Sequence, residues 1–129
     1  MVRVSERASS GMWGEVELTE GNLNAKNMHF YMRGFLHRFP VDLIGGSNKS
    51  KAAPRTAVLD WGGGSYVDTD IDGGKEFFRA RGWVRSFFAA NRAQPGDIVR
   101  VEETGPYSYR ISLRKKGAPA PAPSASAAA

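Results

Sequence analysis

The chain contains no cysteine. That excludes a disulfide framework, a thiolate nucleophile and a cysteine-based zinc site, and it agrees with a reducing compartment. Histidine is scarce: only His29 and His37 occur, and no G-x-S-x-G elbow accompanies them. Both histidines read as structural groups or ligand contacts rather than as general bases. Gly45-Gly46-Ser47-Asn48-Lys49-Ser50 has the look of a phosphate loop, but Asn48 precedes the lysine and the upstream glycine is missing. A metal-dependent nuclease commonly carries an acid two residues before a lysine, and no lysine of this chain has one. No catalytic residue, metal ligand or cofactor is therefore expected. Long apolar runs are absent too, and the start MVRVSERASS lacks the apolar core of a secretory signal. The expectation is a protein without membrane association, cytoplasmic (bacterial) or otherwise intracellular.

What is present fits one modest folded domain: 129 residues, 41% of them hydrophobic. Eighteen Lys and Arg against thirteen Asp and Glu give a net charge of +5. This excess favours a polyanionic partner, although a plain basic enzyme would share it.

Residues 1–14 are expected to be loosely ordered, packing only through Met12 and Trp13. Val16 and Leu18 alternate with Glu15, Glu17 and Thr19, the pattern of a half-buried strand. The stretch Glu20 to Asn27 is rich in Asn and Gly and too polar for a core, so it is a loop or an arm. Met28, Phe30 and Met32 alternate with His29, Tyr31 and Arg33 and predict a second strand. Phe35, Leu36 and Phe39 fit a short helical turn before Pro40, and Leu43-Ile44 close the apolar stretch. Gly45 to Arg55 reads as a flexible basic connector, either a solvated loop or a phosphate contact. Thr56 to Trp61 predicts a strand, and Gly62-Gly63-Gly64 supplies a hairpin turn into Ser65-Tyr66-Val67. Asp68 to Lys75 reads as a polar protrusion, followed by Glu76-Phe77-Phe78 leading into a helix.

Arg79 to Glu102 organises the rest. Trp83, Val84, Phe87 and Phe88 fall on one stripe at 3.6 residues per turn and must be buried, with Arg81, Arg85 and Arg92 off that stripe. Asn91 and the Gln94-Pro95-Gly96-Asp97 turn end the helix, and Ile98, Val99 and Val101 begin a strand. A last strand runs from Tyr107 to Leu113 after a turn at Thr104-Gly105-Pro106. Residues 117–129 are almost only Ala, Pro and Ser and read as a linker or an appended end. Together these elements predict a mostly β fold, a seven-stranded open pseudobarrel with two short helices over residues 15–116.

The spacing RGW-x3-F-x3-N-x3-PGD-x-V, here Arg81-Gly82-Trp83, Phe87, Asn91, Pro95-Gly96-Asp97 and Val99, is set among "RGFLHRFP", "AVLDW", "YVDTD" and "YSYRISL". In this order the chain, from about Val16 to Lys115, resembles the B-three-type pseudobarrel DNA-binding domain. That family includes plant transcription factors and the effector or target-recognition domains of bacterial restriction endonucleases of the EcoRII kind. The resemblance implies a wrench-like grip on duplex DNA with two arms in the major groove, Asn22 to His29 and Asp68 to Arg79. It makes Asn22, Asn24, Lys26, Asn27, His29, Asp70, Asp72 and Lys75 candidate base readers, since Asn suits adenine, Lys suits guanine and Asp suits cytosine. Arg33, Lys49, Lys51, Arg55, Arg79, Arg81 and Arg85 become candidate phosphate contacts. The implied partners are double-stranded DNA and a nuclease domain beyond the C-terminal linker, with the isolated domain a monomer. The sequence departs from the pattern in the second arm, which holds three aspartates, Asp68, Asp70 and Asp72, and one lysine before Arg79.

Two other readings of the residues stay open. Tyr31, Tyr66, Tyr107 and Tyr109 are potential stacking platforms of a single-stranded nucleic-acid-binding β-barrel. A β-rich protein-interaction module with incidental charge is the third. Asp68-x-Asp70-x-Asp72-Gly73 imitates the start of a calcium loop, but Arg79 stands where the closing Glu belongs.

Overall fold

Two glycines at positive φ, Gly63 and Gly64, turn the chain between the apolar runs that precede and follow them, and those runs pair as a hairpin. These are β3 (Ala57–Gly62) and β4 (Ser65–Thr69). The computed structural model describes residues 13–24 and 28–118. The N-terminal segment up to Met12, Lys26 and Asn27 in the first polar loop, and the Ala/Pro/Ser end from Pro119 lie outside the described residues.

Strand β1 (Trp13–Glu17) pairs antiparallel with β7 (Ile98–Gly105), and β7 with β8 (Ser108–Arg114). Strand β8 runs parallel to β3, giving a five-stranded sheet in the order β1-β7-β8-β3-β4. A second sheet is made of three two-residue strands, β2 (Ile44–Gly45), β5 (Ile71–Asp72) and β6 (Phe77–Phe78), in the order β2-β5-β6. The one α-helix among the described residues, α1 (Gly82–Asn91), buries Trp83, Val84, Phe87 and Phe88, as its stripe predicts. They join Leu59, Val99, Val101, Tyr109 and Ile111 from the five-stranded sheet in one apolar cluster. The helix ends where Arg92 adopts a left-handed conformation and the amides of Arg92 and Ala93 return to the carbonyls of Ala89 and Phe88.

Among the described residues the fold is thus mostly strand, in two mixed sheets with one helix, and eight strands stand where seven were expected. The second expected helix is a single 3-10 turn, Leu36–Arg38, because Phe39 is extended ahead of Pro40. Residues 28–33 form no strand. The alternation there sets burial, with Phe30 and Met32 inside, but the Met32 amide goes to Glu76 O at 2.8 Å rather than into a ladder. The basic connector 45–55 is not a loose loop: it starts on the last residue of β2 and contains a 3-10 turn, Lys49–Lys51, closed by Gly46 N to Lys51 O at 2.8 Å. The stretch 68–75 does not protrude as a polar arm either. Thr69, Asp70, Ile71 and Asp72 are all buried, because the chain passes from the first sheet into the second at this point.

Candidate nucleic-acid interface

The first polar loop is built by its own side chains. Asn22 is 6% exposed, and its Oδ1 accepts from the Thr19 amide at 2.8 Å and the Thr19 hydroxyl at 3.0 Å. Those bonds wind the 3-10 turn Gly21–Leu23, and the His29 amide then closes the loop on Asn22 O at 3.3 Å. Asn22, expected to read a base, therefore spends its acceptor on the loop base. Asn24 is exposed beyond it.

The second segment has the same logic. Asp72 Oδ1 accepts the amides of Gly74 at 3.0 Å and Lys75 at 2.9 Å, which makes an Asx turn and leaves Lys75 exposed at its tip. Asp70 is 5% exposed. Its two oxygens take Arg79 Nε at 2.7 Å and an Arg79 terminal nitrogen at 3.0 Å, and Oδ2 also accepts the Ala53 amide at 2.7 Å. Burial pushes the Asp70 carboxyl up, but the bonds from Arg79 and Ala53 outweigh it and hold the pKa below the ordinary Asp value. The same hydrogen bond leads the causes that raise the Arg79 guanidinium. Asp70 and Asp72, expected as cytosine readers, and Arg79, expected on a phosphate, are placed here in structural bonds: Asp70 and Arg79 hold each other and the backbone at 46–53, and Asp72 Oδ1 holds the turn amides.

The two segments meet edge to edge. Met32 donates to Glu76 O, and Arg33 Nε donates to Glu76 Oε1 at 2.9 Å. Above this junction lie His29, Tyr31 and Phe77, with ring centroids 4.6 Å apart for His29–Tyr31, 5.3 Å for His29–Phe77 and 5.9 Å for the stacked Tyr31–Phe77 pair. Each of the last two rings carries a guanidinium: Arg33 sits 4.0 Å from the Tyr31 centroid and Arg81 4.5 Å from that of Phe77. Cation–π contact of this kind orients an arginine through its face rather than its N–H edges, although on Arg33 the Nε edge is already taken by Glu76. The Arg33 side chain is 64% exposed, and Arg81 is exposed as well.

The remaining expected contacts are spread more widely. Lys49 and Lys51 belong to the turn pinned by Asp70 and Arg79, with Lys51 exposed. Arg55 stacks on Tyr107 at 3.9 Å, and the Tyr107 hydroxyl donates to Asp42 at 2.9 Å, a separate cluster. Arg85 is exposed on α1. Lys26 and Asn27 lie outside the described residues. Phe77 was missed as part of the site because Glu76-Phe77-Phe78 looks like a lead into the helix. The glycine pair at 73–74 is the signal that a turn precedes it and that Phe77 returns as a strand.

Among the described residues no group of three or more Asp, Glu or His is arranged to hold a metal ion, and no helix is long and apolar enough to cross a membrane. No family model, no curated protein and no solved structure matches the chain.

Proposed function

We propose that the chain binds double-stranded DNA in a sequence-dependent manner, with the polar loop at 22–29 and the turn at 72–77 directed to the major groove. One observation carries this reading. The residues that follow the first nominated arm join the second at Glu76, and the junction carries Arg33 and Arg81 on neighbouring rings, with Lys75 exposed one residue before Glu76. Arg33 and Arg81 suit phosphate contact, because their aromatic supports fix the guanidinium planes before any ligand arrives. Asn24, Lys26, Asn27 and Lys75 are left as the base-reading groups, His29 as a wall of the junction.

The finer reading is a pseudobarrel that serves as the target-recognition domain of an intracellular restriction endonuclease, with cutting chemistry in a separate domain. The single-strand alternative is weaker on the exposed aromatics. Tyr66, 63% exposed, is a lone platform, and the Tyr31 and Phe77 faces are already stacked with guanidinium groups. Selection of bound duplexes from a random pool, followed by titration of the selected site across salt, tests the proposal. A selected duplex should bind about 10³-fold or more tighter than random duplex. Equal or tighter binding of the single strand overturns it.

A further inference from the structure

The basic loop between Gly46 and Ala53 is held at both ends by one pair of side chains. Arg79 donates to Gly46 O at 2.7 Å and to Asn48 O at 3.4 Å. Asp70, gripped by the same guanidinium, accepts the Ala53 amide at 2.7 Å. Inside these anchors the loop is closed on itself by Gly46 N to Lys51 O and Lys51 N to Asn48 O, each 2.8 Å. The second segment touches the start of this stretch, where Gly73 N donates to Gly45 O at 2.9 Å, and the stretch is folded tightly on itself, since a Cβ on Gly45 would stand 2.5 Å from Lys51 O and 2.6 Å from Ala53 N. Nothing in the loop's own composition requires this order. Its side-chain anchors are two residues that bracket the turn carrying Lys75.

We propose that Asp70 and Arg79 form a positioning clamp that fixes the loop 46–53 in register with the Lys75 turn, so that Lys51 meets the DNA backbone as a third, preorganised contact. This rests on the DNA-binding reading. Asp70 and Arg79 then touch no nucleic acid themselves. Their effect is that the Lys51 backbone is ordered before binding, so association does not have to order it. A buried carboxylate in a basic protein thereby increases affinity for a polyanion, the opposite of what its charge alone implies.

The test is a double-mutant cycle on the full chain with a short random-sequence duplex, read as the salt dependence of binding. In the wild-type background Lys51→Ala should lower the log–log salt slope by about 0.9, one phosphate contact. In an Arg79→Lys background, which keeps the charge but cannot bridge Asp70, Gly46 and Asn48, the same substitution should change the slope by less than half as much. An equal change in both backgrounds overturns the clamp. Amide exchange supplies a readout independent of DNA. Arg79→Lys should speed exchange at Lys51 and Ala53 by about tenfold or more, while Val99 and Val101 in the large sheet keep their protection. If Arg79→Lys strips protection from Val99 and Val101 as well, Asp70→Asn repeats both measurements. Loss of sheet protection in both variants means that the pair holds the whole fold, and the proposal fails. If the wild-type chain binds no duplex, the DNA-binding reading fails, and unchanged loop amides would then dispose of the clamp separately.

Discussion

Asp97 belongs to the Pro95-Gly96-Asp97 turn and is 1% exposed. Its carboxylate accepts the Gln94 amide at 2.9 Å, the Lys116 amide at 2.8 Å and Lys115 Nζ at 2.6 Å. The Lys115 ammonium also reaches Arg92 O at 2.6 Å, one of the carbonyls left without an intrahelical partner at the end of α1. One buried oxygen pair thus ties the helix end, the turn and the chain just beyond β8 together. Substitution Asp97→Ala deprives two backbone amides and one half-exposed ammonium of their acceptor. At about 1 kcal/mol for each, the low end of the range because Gln94, Lys115 and Lys116 are themselves exposed, the loss is about 3 kcal/mol. For a domain of this size that lowers the melting temperature by about 15 °C. Asp97→Asn keeps an acceptor but loses the charge, and about 2 kcal/mol is expected.

The pH dependence separates this account from a simple packing defect. Burial pushes the Asp97 carboxyl up, but the Lys115, Lys116 and Gln94 bonds outweigh it and hold the pKa below the ordinary Asp value. A carboxyl depressed on folding contributes stability that is fully present above its unfolded pKa, about 4, and lost as pH falls through the folded pKa. The gap between wild type and Asp97→Asn should therefore be widest at neutral pH and narrow steadily below about pH 4. Urea unfolding followed by tryptophan fluorescence at several pH values measures it. A gap under about 0.5 kcal/mol at neutral pH, or one that persists unchanged into acid, would refute the reasoning.

Other consequences follow from the same geometry. The Tyr109 hydroxyl is buried with no hydrogen-bond partner among the described residues, and burial, then the charge of Glu103, raises its pKa far above the usual tyrosine value. Tyr109→Phe should therefore leave stability within about 1 kcal/mol of wild type, on the stabilising side; a clear loss in thermal unfolding would reveal a partner for that oxygen. At Gly14 an added Cβ would run into the buried Phe35 ring, so Gly14→Ala should cost about 2 kcal/mol or more despite the small change in size, and a neutral result in urea unfolding refutes it. Lys75→Ala should reduce the preference for a selected duplex over random sequence by roughly tenfold. Equal weakening of both in a competition titration would move Lys75 from reading to phosphate contact.

What could be read in the sequence is what chain neighbours decide. The Trp83, Val84, Phe87, Phe88 stripe, the glycine turn between β3 and β4, and the β7–β8 pair all depend on spacing within a dozen residues, and each stands where it was expected. Strands of two residues, such as β2, β5 and β6, carry no period to detect, so the second sheet was invisible. Residues 28–32 erred in the other direction: their alternation is real, but the ladder that makes a strand needs a partner elsewhere in the chain. The Asp70–Arg79 pair was out of reach for a similar reason, since its other contacts are Gly46, Asn48 and Ala53, seventeen to thirty-three residues away.

The three aspartates show how that distance changes the functional reading. At period two, Asp68, Asp70 and Asp72 would share one face of a regular strand and present an acidic edge, unwelcome beside DNA. Only Asp68 stays exposed, on β4 opposite Val58. Between Thr69 and Ile71 the chain leaves one sheet for the other, and Asp70 and Asp72 turn inward, one neutralised by Arg79 and the other occupied by turn amides. Glu76 in turn is matched by Arg33. Beyond Asp68, the outward charge of the second segment is then carried by Lys75, with Arg81 after it, so that end of the segment is basic where the sequence is acidic. The stretch that departs from the pattern is thus the one whose acids hold Arg79, the Lys75 backbone and Arg33 in place.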